Sequence, residues 1–161
     1  MIQVGFVTAI YKELESKGVK IWLDGGWAVE ALVGERLRSH QDLDIAVLRQ
    51  DLDKFKEIMG KKGYREIKRD ESKMWDLVLC NEAGQEVEVH AFSLNEDGEV
   101  VEEDEWDGYE KDSLNGVGNL NGLEVRCVTP GYLVKTHDPN KRKLKETDYI
   151  DLEALRRKFK I

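Results

Sequence analysis

The sequence predicts an α+β domain: a mixed, mainly antiparallel sheet of about five strands with helices packed on it. Three observations carry that reading. A short apolar strand runs through Gly25-Gly26 into a helix, and then into a strand that begins Asp42-Leu43-Asp44. Three strand-like segments follow one another between residues 64 and 92, the last two joined by the turn Asn81-Glu82-Ala83-Gly84. Two more flank Asn121-Gly122, a strong type I′ hairpin signal.

Taken in order, residues 3–17 form an amphipathic helix. Val4, Val7, Ile10, Tyr11 and Leu14 recur at the 3–4 spacing, and Gly18 stops it. Residues 19–23 make a strand. The helix after Gly25-Gly26 carries Trp27, Ala28, Ala31 and Leu32 as its apolar stripe and ends at Gly34, a residue that tolerates positive φ. In the strand 42–47, Asp42, Asp44 and Ala46 share one face, while Leu43, Ile45 and Val47 share the other. Residues 51–61 are a helix with Asp51 as N-cap and Leu52, Phe55, Ile58 and Met59 inward, closed by Gly63. Strands follow at 64–68, 74–80 and 86–92. In the last of these Val87, Val89 and Ala91 face one way, and Glu86, Glu88 and His90 the other.

Residues 95–110 are acidic, with Glu96, Asp97, Glu99, Glu102, Glu103, Asp104, Glu105, Asp107 and Glu110 and no base among them. Such a run is a solvated loop or, with Trp106 and Tyr109 inside it, a lure for a cationic ligand. Strands 117–120 and 123–128 precede Thr129-Pro130, a cap and first helical residue. That helix runs to about residue 136, where Asp138-Pro139-Asn140 breaks it. Lys141, Arg142, Lys143 and Lys145 form a basic patch. A last helix, 148–159, is expected to turn Ile150, Leu152, Leu155 and Phe159 inward. Residues 1–161 thus read as one domain, with 129–161 a short helical C-terminal part.

The chemistry concentrates in the third and fourth elements. Asp42 and Asp44 point the same way from a strand with one apolar face. Like charges so close repel, and a divalent cation between them removes the penalty; hard oxygen ligands suit Mg²⁺. Gly25 and Gly26, at the start of a helix, let backbone N–H groups approach a phosphate. A phosphate cradle beside a metal-binding carboxylate pair implies phosphoryl or nucleotidyl transfer.

The order hydrophobic-Gly-Gly, helix, Asp-hydrophobic-Asp resembles the DNA polymerase β-like nucleotidyltransferase superfamily. The longer string Gly25-Gly26-Trp27-Ala28 with Arg38-x-His40-x-Asp42-Leu43-Asp44-Ile45 resembles its lincosamide and aminoglycoside branch. The resemblance implies the palm-like nucleotidyltransferase fold and a third carboxylate on a strand beside the Asp strand. Glu88-Val89-His90 occupies that pattern, with Glu where the branch usually has Asp. Asp42, Asp44 and Glu88 are then the catalytic residues and the ligands of two Mg²⁺ ions. Gly25 and Gly26 receive the phosphates of a nucleoside triphosphate. Arg38 and His40 neutralise phosphate charge, and Lys135 and His137 sit where some relatives contact triphosphate or acceptor. The implied reaction moves a nucleoside monophosphate to a hydroxyl of an aminoglycoside- or lincosamide-like acceptor. Two alternatives stay open: transfer to a protein or RNA, as in a toxin–antitoxin pair, and a non-catalytic nucleotide-binding homologue.

Composition sets the partners. A net charge of −8 argues against nucleic acid. No apolar run approaches the roughly 20 residues of a membrane span, and the N-terminus lacks a signal-peptide pattern. A cytoplasmic protein with reduced Cys80 and Cys127 is expected. A homodimer is expected to supply the acceptor wall that a short C-terminal part leaves open.

Overall fold

A computed structural model describes residues 1–69, 76–101 and 108–161. Along them run α1 (Val4–Ser16), β1 (Ile21–Leu23), α2 (Gly25–Val33), β2 (Asp42–Leu48), α3 (Leu52–Lys61), β3 (Arg65–Ile67), β4 (Asp76–Cys80), β5 (Glu86–Phe92), β6 (Gly116–Leu120), β7 (Leu123–Cys127), α4 (Pro130–Thr136) and α5 (Glu146–Phe159). A 3-10 turn, Arg49–Asp51, joins β2 to α3. Asp51 stands at the N-cap of α3 as expected, without a side-chain capping bond.

The strands form one sheet in the order β3-β4-β5-β2-β1-β7-β6. Pairs β1–β2, β3–β4, β4–β5 and β6–β7 are antiparallel, while β2–β5 and β1–β7 are parallel. The sheet is mixed and mainly antiparallel, as the sequence predicts. It is wider than predicted, with seven strands, because the pairing Leu23↔Cys127 draws the C-terminal hairpin onto β1. That hairpin turns at Asn121 (φ 51) and Gly122 (φ 88), the positive pair its Asn-Gly predicts.

β2 sits at the centre of the sheet, and its alternation sorts core from cleft. Leu43, Ile45 and Val47 are fully buried, two of them in register with Val87 and Val89 of β5. They join Val7, Ile10 and Leu14 of α1 and Phe55 and Met59 of α3 in one core. Each such side chain contributes roughly 1.5–3 kcal/mol by leaving water. The other face of the β2–β5 pair carries Asp42, Asp44, Glu86, Glu88 and His90.

The last helix corrects the sequence reading. α5 begins at Glu146, and Ile150 is 40% exposed rather than inward. Asp148 and Asp151 are buried in its place, beside Leu152 and Leu155. The reason is electrostatic: cations on neighbouring segments meet both carboxylates, as described below, and a paired carboxylate can be buried where an unpaired one cannot. No helix among the described residues is long and apolar enough to cross a membrane.

Candidate active site

Close approach explains the two glycines. Gly25 has φ +56, and a Cβ there would strike the Asp44 carboxylate. A Cβ on Gly26 would strike the Arg38 guanidinium and the His40 ring. The start of α2 is thereby pressed onto β2, with Asp24 N donating to Asp44 O at 2.9 Å and Trp27 Nε1 to Asp42 O at 3.2 Å. The Gly25 N–H is already donated to Asp24 Oδ1 at 2.7 Å. The second Asp24 oxygen accepts from the Tyr109 hydroxyl at 2.8 Å. Burial first, and then the Asp24 charge, holds the Tyr109 phenol well above its ordinary pKa, so it stays a donor.

The parallel register places Asp44 beside Glu88, Asp42 beside Glu86 and Ala46 beside His90. One ligand atom from each of Asp44, Glu88 and His90 lies within 4.8 Å of the others, a group able to hold a metal ion. Burial, followed by the charges of Asp42, Glu88 and Asp24, pushes the Asp44 carboxyl well above the usual carboxylate range, against the opposing charge of His90. Burial also opposes the charged form of His90. The Asp76 hydrogen bond (Nδ1 to Oδ1, 3.1 Å) and the charges of Asp24, Asp76 and Asp44 outweigh it and raise the ring to about 9. Arg69 pairs with Glu86 at 2.6 Å and reaches Glu88 at 3.5 Å.

Asp24, Asp42, Asp44, Asp76, Glu88 and His90 line a cleft of about 1180 Å³. One wall is aromatic: Tyr109 packs edge-on to Phe92 at 5.8 Å and tilted to Tyr132 at 5.5 Å. The other is cationic and hangs on α5. Arg38 donates from Nε and Nη2 to the two Asp151 oxygens at 2.9 and 2.7 Å. Asp148 meets Arg142 at 3.2 Å and His137 at 3.5 Å, and it also accepts the Lys145 backbone N–H at 2.8 Å.

The cleft thus gathers Asp42, Asp44, Glu88, Gly25, Gly26 and Arg38. His40 lies beneath it, 2% exposed, stacked on Trp27 at 4.4 Å and bonded to Glu30 at 2.8 Å. Lys135 pairs with Glu110, and its neighbours Thr136 and His137 line the cleft instead. Of the acidic run, residues 102–107 lie outside the described residues; Glu99 pairs with Lys111 at 2.5 Å. Sequence reasoning did not count His90 among the candidate ligands, and it missed Asp24 as the hub between Tyr109 and α2, and Glu30, Asp148 and Asp151 as buried anchors. The signal for the last three was a carboxylate at an inward helical position, which an apolar stripe hides.

A model of the aminoglycoside-2''-adenylyltransferase family matches residues 6–155. A lincosamide resistance protein of Staphylococcus haemolyticus is 28% identical over 146 residues, which cover 88% of this chain and 87% of that protein. The crystal structure of the lincosamide antibiotic adenylyltransferase LnuA, lincomycin-bound, superposes with a TM-score of 0.83 at 25% identity, covering 96% of this chain and 97% of that one. The solution structure of the antibiotic-resistance factor ANT(2'')-Ia shares the fold, with a TM-score of 0.75 at 16% identity over 96% of this chain and 83% of that one.

Proposed function

The chain belongs to the aminoglycoside-2''-adenylyltransferase family, and from that premise we propose that it transfers a nucleoside monophosphate from a nucleoside triphosphate, ATP first among candidates, to a hydroxyl of a lincosamide- or aminoglycoside-like antibiotic. One observation carries the reading: the register that sets Asp44 against Glu88 next to a helix start that tolerates only glycine.

The donor set fits a divalent cation. Carboxylate oxygens with one imidazole suit a hard or borderline ion, and the crowding of Asp44 by Asp42 and Glu88 is what such an ion relieves. Asp44 and Glu88, with Asp42 beside them, would hold it, joined by His90 once its ring gives up the proton that its acidic neighbours stabilise, and two Mg²⁺ ions are our assignment. When bound, the cation supplies charge neutralisation at the α-phosphate and acidifies the acceptor hydroxyl.

The remaining steps belong to the chain. The acceptor oxygen attacks the α-phosphorus, the bond from phosphorus to its bridging oxygen breaks, and pyrophosphate leaves. Glu88 takes the acceptor proton, a role that needs only hydrogen-bond reach. Gly26 N–H and the Arg38 guanidinium receive phosphate oxygens; Gly25 serves by its missing side chain, its N–H being held by Asp24. His40 acts through the loop it anchors. Catalysis is then mostly positioning and electrostatics. Consumption of a nucleoside triphosphate fits a cytoplasmic site of action.

The test is pyrophosphate release from Mg·ATP by the purified chain over a panel of lincosamides and aminoglycosides. Acceptor-dependent release with a nucleotidylated product supports the proposal. Nucleotide binding without release for any acceptor would replace it with a non-catalytic binder.

A further inference from the structure

We infer that Asp151, on the last helix, is a positioning residue for the donor's phosphates: it aims the Arg38 guanidinium across Gly26, so that α5 forms part of the triphosphate seat. The inference rests on the nucleotide reading of the cleft.

The donor count supports it. A guanidinium has five N–H groups. Asp151 takes Nε–H and one N–H of Nη2, at 2.9 and 2.7 Å. The Ser39 carbonyl takes one of Nη1 at 3.2 Å. Two N–H groups remain, one on each terminal nitrogen, on a side chain that lines the cleft. The position of that side chain is fixed from both sides. Asp151, 2% exposed, grips it in a bidentate fork, and its Nη2 fills the space that a Cβ on Gly26 would need. The guanidinium therefore stands at the first turn of α2, close enough to Asp42 to feel its charge.

A purely structural role is a weak explanation of this pair. A buried ion pair adds little net stability over an apolar pair of similar volume, because desolvation offsets the attraction. Here α5 gives an inward position to a carboxylate while Ile150, next to it, stays 40% exposed. What the arrangement supplies is orientation of a permanently charged, planar donor. Its fork is turned to Asp151, and its remaining N–H groups are left for an anion with several oxygens. A nucleoside triphosphate bound at the Asp44–Glu88 centre presents that chemistry.

The experiment measures equilibrium binding of Mg·ATP and of adenosine to the full chain and its variants. Asp151→Asn is expected to weaken Mg·ATP about tenfold, the scale of one charge-assisted hydrogen bond, and to leave adenosine unchanged. Arg38→Lys keeps a cation for Asp151 but loses the fork. It is expected to show the same pattern at an unaltered melting temperature, and it carries the test should Asp151→Asn not fold. In an Arg38→Ala background, adding Asp151→Asn should weaken Mg·ATP no further. Equal losses for ATP and adenosine, multiplied losses in the double variant, or undiminished ATP binding by Asp151→Asn would each overturn the inference alone. Failure of the unaltered chain to bind Mg·ATP would overturn the nucleotide reading and this inference with it.

Discussion

Asp44 is surrounded by Asp42, Glu88 and Asp24, and burial adds to their repulsion. Neutralising it therefore has opposite consequences for folding and for chemistry. Asp44→Asn should keep or raise the melting temperature in metal-free buffer, while turnover falls on the order of 10²–10³-fold as charge stabilisation is lost. Asp42→Ala should lose turnover similarly. Calorimetry and pyrophosphate release read the two effects separately, and undiminished release by either variant would sink the site. Glu30 behaves the other way. Burial raises its carboxyl, but the bonds from His40 and from the Leu37 and Arg38 N–H groups win and hold it below its ordinary value of 4.5. The folded chain then binds fewer protons there than the unfolded one. Its contribution is full above the ordinary carboxylate range and is lost as pH falls through the lowered value. Glu30→Gln is expected to cost about 1–3 kcal/mol at neutral pH and to flatten the acid limb of stability against pH. A variant with an unchanged acid limb would show that the anchor is idle. His40 marks the limit of sequence at this scale. Its place just before the Asp pair reads as phosphate contact, whereas the fold gives its ring to Glu30 and Trp27, partners that spacing cannot reveal.

At the scale of elements, legibility follows periodicity. The period-2 alternation of β2 and β5 separates core from cleft in the sequence as it does in the fold, and Gly25-Gly26 announces a close approach that the structure fills with Asp44, Arg38 and His40. α5 was legible as a helix with Leu152 and Leu155 inward, but not in its exposed Ile150 or its buried Asp148 and Asp151. A hydrophobicity pattern ranks Ile150 above Asp148 and Asp151, and only the distant partners Arg38 and Arg142 reverse that order. The facing is open to test by urea unfolding. Ile150→Ser should change stability by no more than about 0.5 kcal/mol, as at other exposed sites. Leu155→Ala, at 1% exposure, should cost about 2–5 kcal/mol. Comparable losses at both positions would restore the inward Ile150 of the sequence reading.

Across the whole molecule, the parallel β1–β7 pair was the least legible feature, since a single residue pairing leaves no motif. It has a functional consequence all the same. It brings the chain after β7 back to the cleft, where Thr136, His137 and Asp148 become a wall. The pairings of β2 with β1 and β5, and of β4 with β5, concentrate Asp24, Asp42, Asp44, Asp76 and Glu88 along that cleft in a chain of net charge −8. A divalent cation that binds only the folded state stabilises it by mass action, by about 2.7 kcal/mol at a hundred times its dissociation constant. For a chain of this size that corresponds to roughly 5–10 °C in melting temperature. Mg²⁺ should therefore raise the melting temperature of the unaltered chain by that order and leave Asp44→Asn almost unmoved. Sodium chloride at matched ionic strength should do less, because monovalent ions only screen the repulsion. An equal shift from sodium chloride, or an undiminished Mg²⁺ shift in Asp44→Asn, would mean that the carboxylates bind no specific ion and that the cleft is merely acidic.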